Sequence, residues 1–396
     1  MKEFPPIDQS FEVAYSYKLY SSNQVFSKSN PLLADIIRSD IFPVPVLFVI
    51  DQNVAKHHPD LEQNIFEYCS HHKNLKHAGK PILVPGGEQV KNNDKYIQNI
   101  LGVIESEKIC RHSFIVAIGG GAVIDMVGFA AAIAHRGVRL IRIPTTVLSQ
   151  NDAAVGVKNS INAFGKKNFT GTFSPPYAII NDKQFLKTLE FRDWISGIAE
   201  AVKVSLIKDA EFYQYIKNNA KALNQRKSES MEYLIYRCAQ LHMQHISSAD
   251  PFESGSSRPL DFGHWAAHKL EHMTNYQLRH GEAVAKGMGI DIVYSSLLGY
   301  LPEKDQIDAL NVLLSIGFDL EIPVHSKAEL DELMLGIEEF REHLGGKLTI
   351  TLLSGIGKKM DVHDIDLDIM GQAITTLNNF SLSNNISEKE NKNKSA

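Results

Sequence analysis

The chain has 396 residues, 43% hydrophobic and 22% charged, with a formal net charge of −5. That length allows two domains and a sizeable core. The composition leaves no basic footprint for nucleic acid, no apolar run of the roughly 18 residues that cross a membrane, and no apolar leader behind Met1-Lys2-Glu3-Phe4-Pro5-Pro6.

From about residue 45 to 180, short apolar runs alternate with helical patterns. The runs are 46–50, 81–84, 114–118 and 140–143. Their length and β-branched content suit strands buried on both faces of a parallel sheet. After about residue 183, helical periodicity dominates, as in 197–207, 228–245, 265–272 and 283–298. The expectation is an α/β protein: a dinucleotide-binding domain over 1–182, a mostly α-helical domain over 183–381, and a polar, disordered tail over 382–396. A ligand should sit between the domains, outside the carboxyl ends of the strands. Three scattered cysteines, Cys69, Cys110 and Cys238, fit a reducing compartment, and a cytoplasmic protein is expected.

The run Gly119-Gly120-Gly121-Ala122-Val123-Ile124-Asp125 joins the 114–118 strand to a helix-like stretch. Glycine lets the backbone approach an anion, and a helix amino terminus supplies unpaired N–H groups. Two further strand ends carry polar groups: Asp51 and Asn53 after the first, Glu88 and Lys91 after the second. Singly, each is an ordinary turn or an i,i+3 pair. Together they line one sheet edge, as a dinucleotide requires.

The segment 152–168 holds Asp152, Lys158, Lys167 and Asn168, which suit a phosphorylated, hydroxyl-rich substrate. Alternatively it is a solvated loop with a basic tip. Glu200 and Lys203 share a helix face among apolar neighbours, so this helix is expected to be buried, and a buried charge needs a partner or a metal. His264 and His268 are four residues apart, and His280 follows twelve later. Glu200, His264 and His280 would supply one oxygen and two imidazoles with a position left open, as a catalytic zinc needs. His242, His245 and His272 read as ordinary packing or surface histidines.

In this order, GGGAVIDMVGFAAAIAHRGV (119–138), IPTTVLSQNDAAVGVK (143–158), KNFTGTFSPP (167–176), GIAEAVK (197–203) and DFGHWAAHKLE…HGEAVAKGM (261–288) resemble the 3-dehydroquinate synthase family of sugar-phosphate cyclases, over roughly residues 45–360. The resemblance implies a Rossmann-like domain followed by a helical metal-binding domain, with NAD and a divalent metal, zinc or else cobalt, in the cleft between them. It implies metal ligands Glu200, His264 and His280. It places NAD contacts at Asp51, Asn53, Glu88, Lys91, Gly120, Gly121, Asp125, Thr145, Thr146 and the 185–189 stretch with Thr188. Substrate contacts would be Asp152, Lys158, Lys167, Asn168, Lys203 and His268, with Lys167 also counted among the cofactor contacts. Arg136 would reach the phosphate site of a second subunit, which implies a homodimer. The implied reaction oxidises a ring carbinol, eliminates phosphate, returns the hydride and closes a carbocycle by an aldol step.

The departures from the family lie on the substrate side. A family lysine is replaced by Met243, or by His242 if the helix carries an insertion. A family arginine is Ser257, with Arg258 adjacent. An asparagine is Asp261, and a late Asp-Lys-Lys is Phe340-Arg341-Glu342. The lost cations would have gripped a substrate carboxylate, so a neutral heptulose phosphate is implied. Asp261 resembles the valiolone-type cyclases, whereas His268 stands where those enzymes usually have proline. The alternatives are 3-dehydroquinate synthase proper, with Arg258 and Arg341 as replacement cations; an iron-type alcohol dehydrogenase; and an inert binding protein.

Overall fold

The computed structural model describes residues 4–247, 252 and 259–394. Its first part is built on strands β1 (Lys18–Ser22), β2 (Val44–Asp51), β3 (Leu75–His77), β4 (Ile82–Val84), β5 (Phe114–Gly119) and β6 (Arg139–Pro144), followed by a hairpin, β7 (Lys158–Ala163) and β8 (Lys166–Phe173), and then β9 (Ala178–Asp182). All but the hairpin form one seven-stranded parallel sheet in the order β1-β9-β6-β5-β2-β3, with β4 also on β2. β2 and β5 are apolar on both faces because helices cover both sides. These helices are α1 (Leu32–Ile36), α2 (Gln52–His57), α3 (Leu61–His71), α4 (Lys95–Ser106) and α5 (Gly121–Ile133). One core lies on each face of the sheet: Leu47, Val49, Ile115 and Ala117 face α4 and α5, while Phe48, Ile50, Val116 and Ile118 pack with Ile65 and Tyr68.

The strand order reverses between β2 and β5. The chain leaves β2 outward to β3 and β4, then returns to β5 on β2's other side. Crossovers there run to opposite sides, so a crevice opens past the strand ends Asp51 and Gly119.

After β9 the chain is helical: α6 (Phe191–Ser196), α7 (Ile198–Lys208), α8 (Ala210–Asn224), α9 (Ser228–Ile246), α10 (His264–Met273), α11 (His280–Leu297), α12 (Glu303–Ile316), α13 (Lys327–His343) and α14 (Leu367–Lys394), with one antiparallel pair, β10 (Ile350–Gly355) and β11 (Lys358–Val362). Helix α7 is buried from Ile198 to Ile207, all round, so its two charges are forced inward. The end of the chain differs from expectation. The polar stretch from 382 is helical as far as Lys394, within α14. Met370, Ala373, Ile374 and Leu377 bury the first half of that helix, and extending an established helix costs little even for polar residues. Among the described residues, no helix is long and apolar enough to cross a membrane.

Candidate active site

The crevice at the reversal is a cleft of about 780 Å³, lined by Asp51, Asn53, Glu88, Gly120, Gly121, Thr145, Thr146, Thr188 and His280, among others. Asp51 ends β2 and caps α2, its Oδ1 accepting from the Asn53 amide at 2.8 Å. Burial pushes its carboxyl up, against the pull of those amides. Helix α5 begins at Gly121 with no side chain capping it, so its first amides are left for an anion. The cleft therefore has the parts a dinucleotide needs: a strand-end acid, a bare helix start and threonine hydroxyls.

Three residues expected on the cofactor lie outside this lining. Lys91 is buried under the hairpin, where its Nζ donates to Asp125 Oδ2 at 2.8 Å and Ser160 Oγ at 3.1 Å, and to Asn168 Oδ1. Lys91 and Asp125 thus anchor β7–β8 to α5. Lys167, one residue from Asn168, turns the other way. Its Nζ reaches Glu271 Oε1 on α10 at 3.2 Å. From Lys158 on, the segment read as chemistry-bearing or as a loop is the β7–β8 hairpin. Asn168 there faces Lys91 and Ser160, while Lys158 is exposed at its start.

The expected metal-ligating set comes together. One ligand atom each from Glu200, His264 and His280 lies within 4.8 Å of the others. Glu200 Oε1 is 3.7 Å from His264 Nε2 and 3.6 Å from His280 Nε2. Each imidazole is held from behind: His264 Nδ1 faces the Phe262 carbonyl at 3.1 Å, and His280 Nδ1 faces Glu271 Oε2 at 3.5 Å. With Nδ1 carrying the proton, Nε2 turns its lone pair inward, the arrangement that outer carboxylates and carbonyls impose on metal-bound histidines. Both Glu200 oxygens are buried and accept no well-formed hydrogen bond, although Lys203 Nζ lies against Oε2. A buried carboxylate left in that state is costly, and a divalent cation satisfies it. The donor set fits zinc.

Charges around this set interlock. Burial pushes the Glu200 carboxyl up, but Lys203 and His280 outweigh it and hold it at about 2. Burial would lower His280, but Glu200 and Glu271 raise it to about 10. His264 is pushed well down by burial and by Lys203. His268 is exposed at the rim, its ring 5.4 Å from that of His264. Asp152 sits on a π-helical turn, Ser149–Ala153, a feature that re-aims side chains at functional sites.

The sequence reading missed two of these residues. His242, taken for a packing histidine, lies on α9 with Nδ1 3.0 Å from Asp152 Oδ1. It is thus His242 whose ring pairs with Asp152 beside the centre. Glu271 stands seven residues after His264, on the same helix face, and that spacing was the available signal. Arg341 is on the exposed side of α13, paired with Glu338, while Arg136 is exposed beyond the far end of α5. Asp261 forms the turn before α10, and Arg258 falls outside the described residues.

Residues 81–196 match the model of the 3-dehydroquinate synthase N-terminal domain, and 197–338 that of the C-terminal domain. The chain belongs to the 3-dehydroquinate synthase family. A 3-dehydroquinate synthase of Shewanella pealeana is 31% identical over 91% of this chain and 96% of its own length; that of Pyrobaculum neutrophilum is 36% identical over 71% and 81%. Among solved structures, the 2-epi-5-epi-valiolone synthase ValA from Streptomyces hygroscopicus, with NAD+ and Zn2+ bound, superposes with a TM-score of 0.84 at 26% identity, covering 94% of this chain and 99% of that one. A 2-deoxy-scyllo-inosose synthase complexed with carbaglucose-6-phosphate, NAD+ and Co2+ shares the fold, with a TM-score of 0.74 at 24% identity over 90% and 95%. As a 3-dehydroquinate synthase family member the chain is an enzyme of the sugar-phosphate cyclase kind.

Proposed function

We propose that this enzyme is an NAD- and zinc-dependent cyclase that eliminates phosphate from a neutral heptulose-type phosphate, one without a carboxylate beside its keto group. One observation carries the substrate reading. Among the described residues, the buried cation at the centre, Lys203, already faces Glu200, and Lys91, under the hairpin, faces Asp125. Lys167, at its edge, faces Glu271. A substrate carboxylate would enter beside Asp152, Asp261 and Glu200 with none of these cations spare, and an uncompensated charge in such a site is costly.

Bound together, the nicotinamide would accept and return a hydride while zinc, held by Glu200, His264 and His280, polarised the oxygen being oxidised. The chain's own residues would do the rest. The Asp152–His242 pair would hold ring hydroxyls, with Asp152 kept ionised although burial opposes it, because His242 and Lys203 lie close. His268, open to water and next to His264, would carry a proton in or out. Lys158 and Asn168 are candidates for the phosphate. Arg136 lies at least roughly 18 Å along α5 from Gly121 at 1.5 Å per residue, too far to serve its own cleft, which supports its reaching a second copy's phosphate in a homodimer.

The test is phosphate release by the purified enzyme with a panel of phosphorylated keto-sugars, with and without a C1 carboxylate. The expected result is release from the heptulose phosphates that lack a carboxylate, with no net accumulation of NADH. Turnover of the carboxylated heptulosonate alone would overturn the substrate reading and favour 3-dehydroquinate synthase proper. Stoichiometric NADH without phosphate would instead indicate an alcohol dehydrogenase.

A further inference from the structure

Asp291 lies on α11, three turns past His280, and is completely buried. Its two oxygens are divided between the residues on either side of His264. Oδ2 accepts from the Gly263 amide at 2.9 Å, and Oδ1 from the Trp265 indole Nε1 at 2.9 Å. No salt bridge reaches it among the described residues, and burial pushes its carboxyl up to about 7. A carboxylate in that position is expensive for the fold, and an apolar residue would be cheaper unless the two bonds matter.

Those bonds fix an awkward junction. Gly263 is left-handed, at φ +77°, and caps α10, so His264 is the first helical residue after a reversal of the chain. The turn sits directly on α11: a Cβ on Gly263 would lie 2.6 Å from the Met288 amide, and one on Gly287 would lie 2.0 Å from the Gly263 carbonyl. First-turn residues of a helix fray readily because their amides lack helical partners. Asp291 supplies one for Gly263 and pins the bulky side chain that follows His264.

We propose that Asp291 is a positioning residue for the metal ligand His264, holding the α10 start against the helix that carries His280 so that the two imidazoles keep their separation. The proposal rests on the metal reading of the Glu200, His264 and His280 set. It goes beyond that reading, because it assigns part of the metal affinity to a residue that touches neither metal nor substrate.

The test measures zinc affinity by competition between the purified enzyme and a chromophoric chelator, alongside NAD affinity by titration. Three variants are compared with the parent: Asp291→Ala, Asp291→Asn and Trp265→Phe. The expected result is zinc binding weakened about 10–100-fold in Asp291→Ala, the range seen on removing outer-shell partners, and by a smaller factor, still above about threefold, in the other two, which each leave one bond. NAD affinity should stay within about twofold, since neither Asp291 nor the two residues bonded to it, Gly263 and Trp265, line that cleft. Should Asp291→Ala fail to fold, Trp265→Phe decides. Zinc affinities within about threefold of the parent in Asp291→Asn and Trp265→Phe would overturn the proposal, as would a parallel fall in NAD affinity, which would mark a general loss of structure. A parent enzyme that takes up no zinc overturns the centre and the clamp together.

Discussion

Replacing Gly281 by alanine probes how tightly the centre depends on packing behind it. Gly281 follows His280 at the start of α11 and donates its amide to Ser196 Oγ at 3.1 Å. A Cβ there would stand 1.8 Å from the Ser196 carbonyl oxygen and 2.6 Å from its carbon. Ser196 ends α6 and, after Gly197, α7 begins and carries Glu200, so relieving the clash should push the Glu200 side of the centre away from the His280 side by about 1 Å. Two effects compete. Alanine favours helix over glycine by about 1 kcal/mol, and overpacking costs about 1–3 kcal/mol. The steric term should win, leaving a fold weakened by up to about 2 kcal/mol. Zinc binding should suffer more, because ligand distances must hold to within about 0.2 Å. The assay is bound zinc per chain after dialysis, with urea unfolding of the metal-free protein. Gly102→Ala serves as the contrast: Gly102 sits inside α4 with nothing within 4 Å of its Cβ position, so that variant should gain about 1 kcal/mol and keep its zinc. Parent-like zinc content in Gly281→Ala would refute the close approach of α6 and α11 on which the reasoning stands.

Glu200→Gln and His264→Ala should each lose metal and turnover while the far-ultraviolet circular dichroism stays parental; full zinc content in His264→Ala would show the ligand set to be wrong. Glu271→Gln should weaken zinc about 10–100-fold by loosening His280, read by chelator competition. Arg142→Met should destabilise the fold by about 3 kcal/mol or more, because the buried guanidinium donates to the carbonyls of Ala154 and Gly156 and to Asn159 Oδ1 and each orphaned acceptor costs about 1–3 kcal/mol; the urea midpoint reports it.

The sheet was legible because its strands are apolar on both faces and end in Gly, Asp or Asn, which locate β2, β5 and the cleft together. The metal set was legible because Glu200 stands among apolar neighbours on α7, and His264 and His280 fall in stretches that resemble the family's. What escaped was pairing at long range. Nothing local in Leu241-His242-Met243 says that its histidine meets Asp152 ninety residues earlier. Nothing around Asp291 announces an indole from another helix. Lys91 keeps the expected pair with Glu88, at 3.9 Å, yet it is not a surface residue: it is buried against Asp125 because the hairpin closes over it, and the covering strands lie some seventy residues away. The helical end of the chain was missed for a different reason: composition cannot report a helix seeded by the apolar residues before it.

Strand β8 moors the two halves of the molecule to one another by neighbouring residues. Asn168 is fastened to the sheet side through Lys91, and Lys167 to the helical side through Glu271. Barely 3.3 Å of backbone separates the two attachments at the usual strand rise, so a hinge that opened the crevice wide would first have to slip one of them. The proposed cycle fits such a molecule, because it would return the coenzyme to its resting oxidation level at each turnover and would not require its departure.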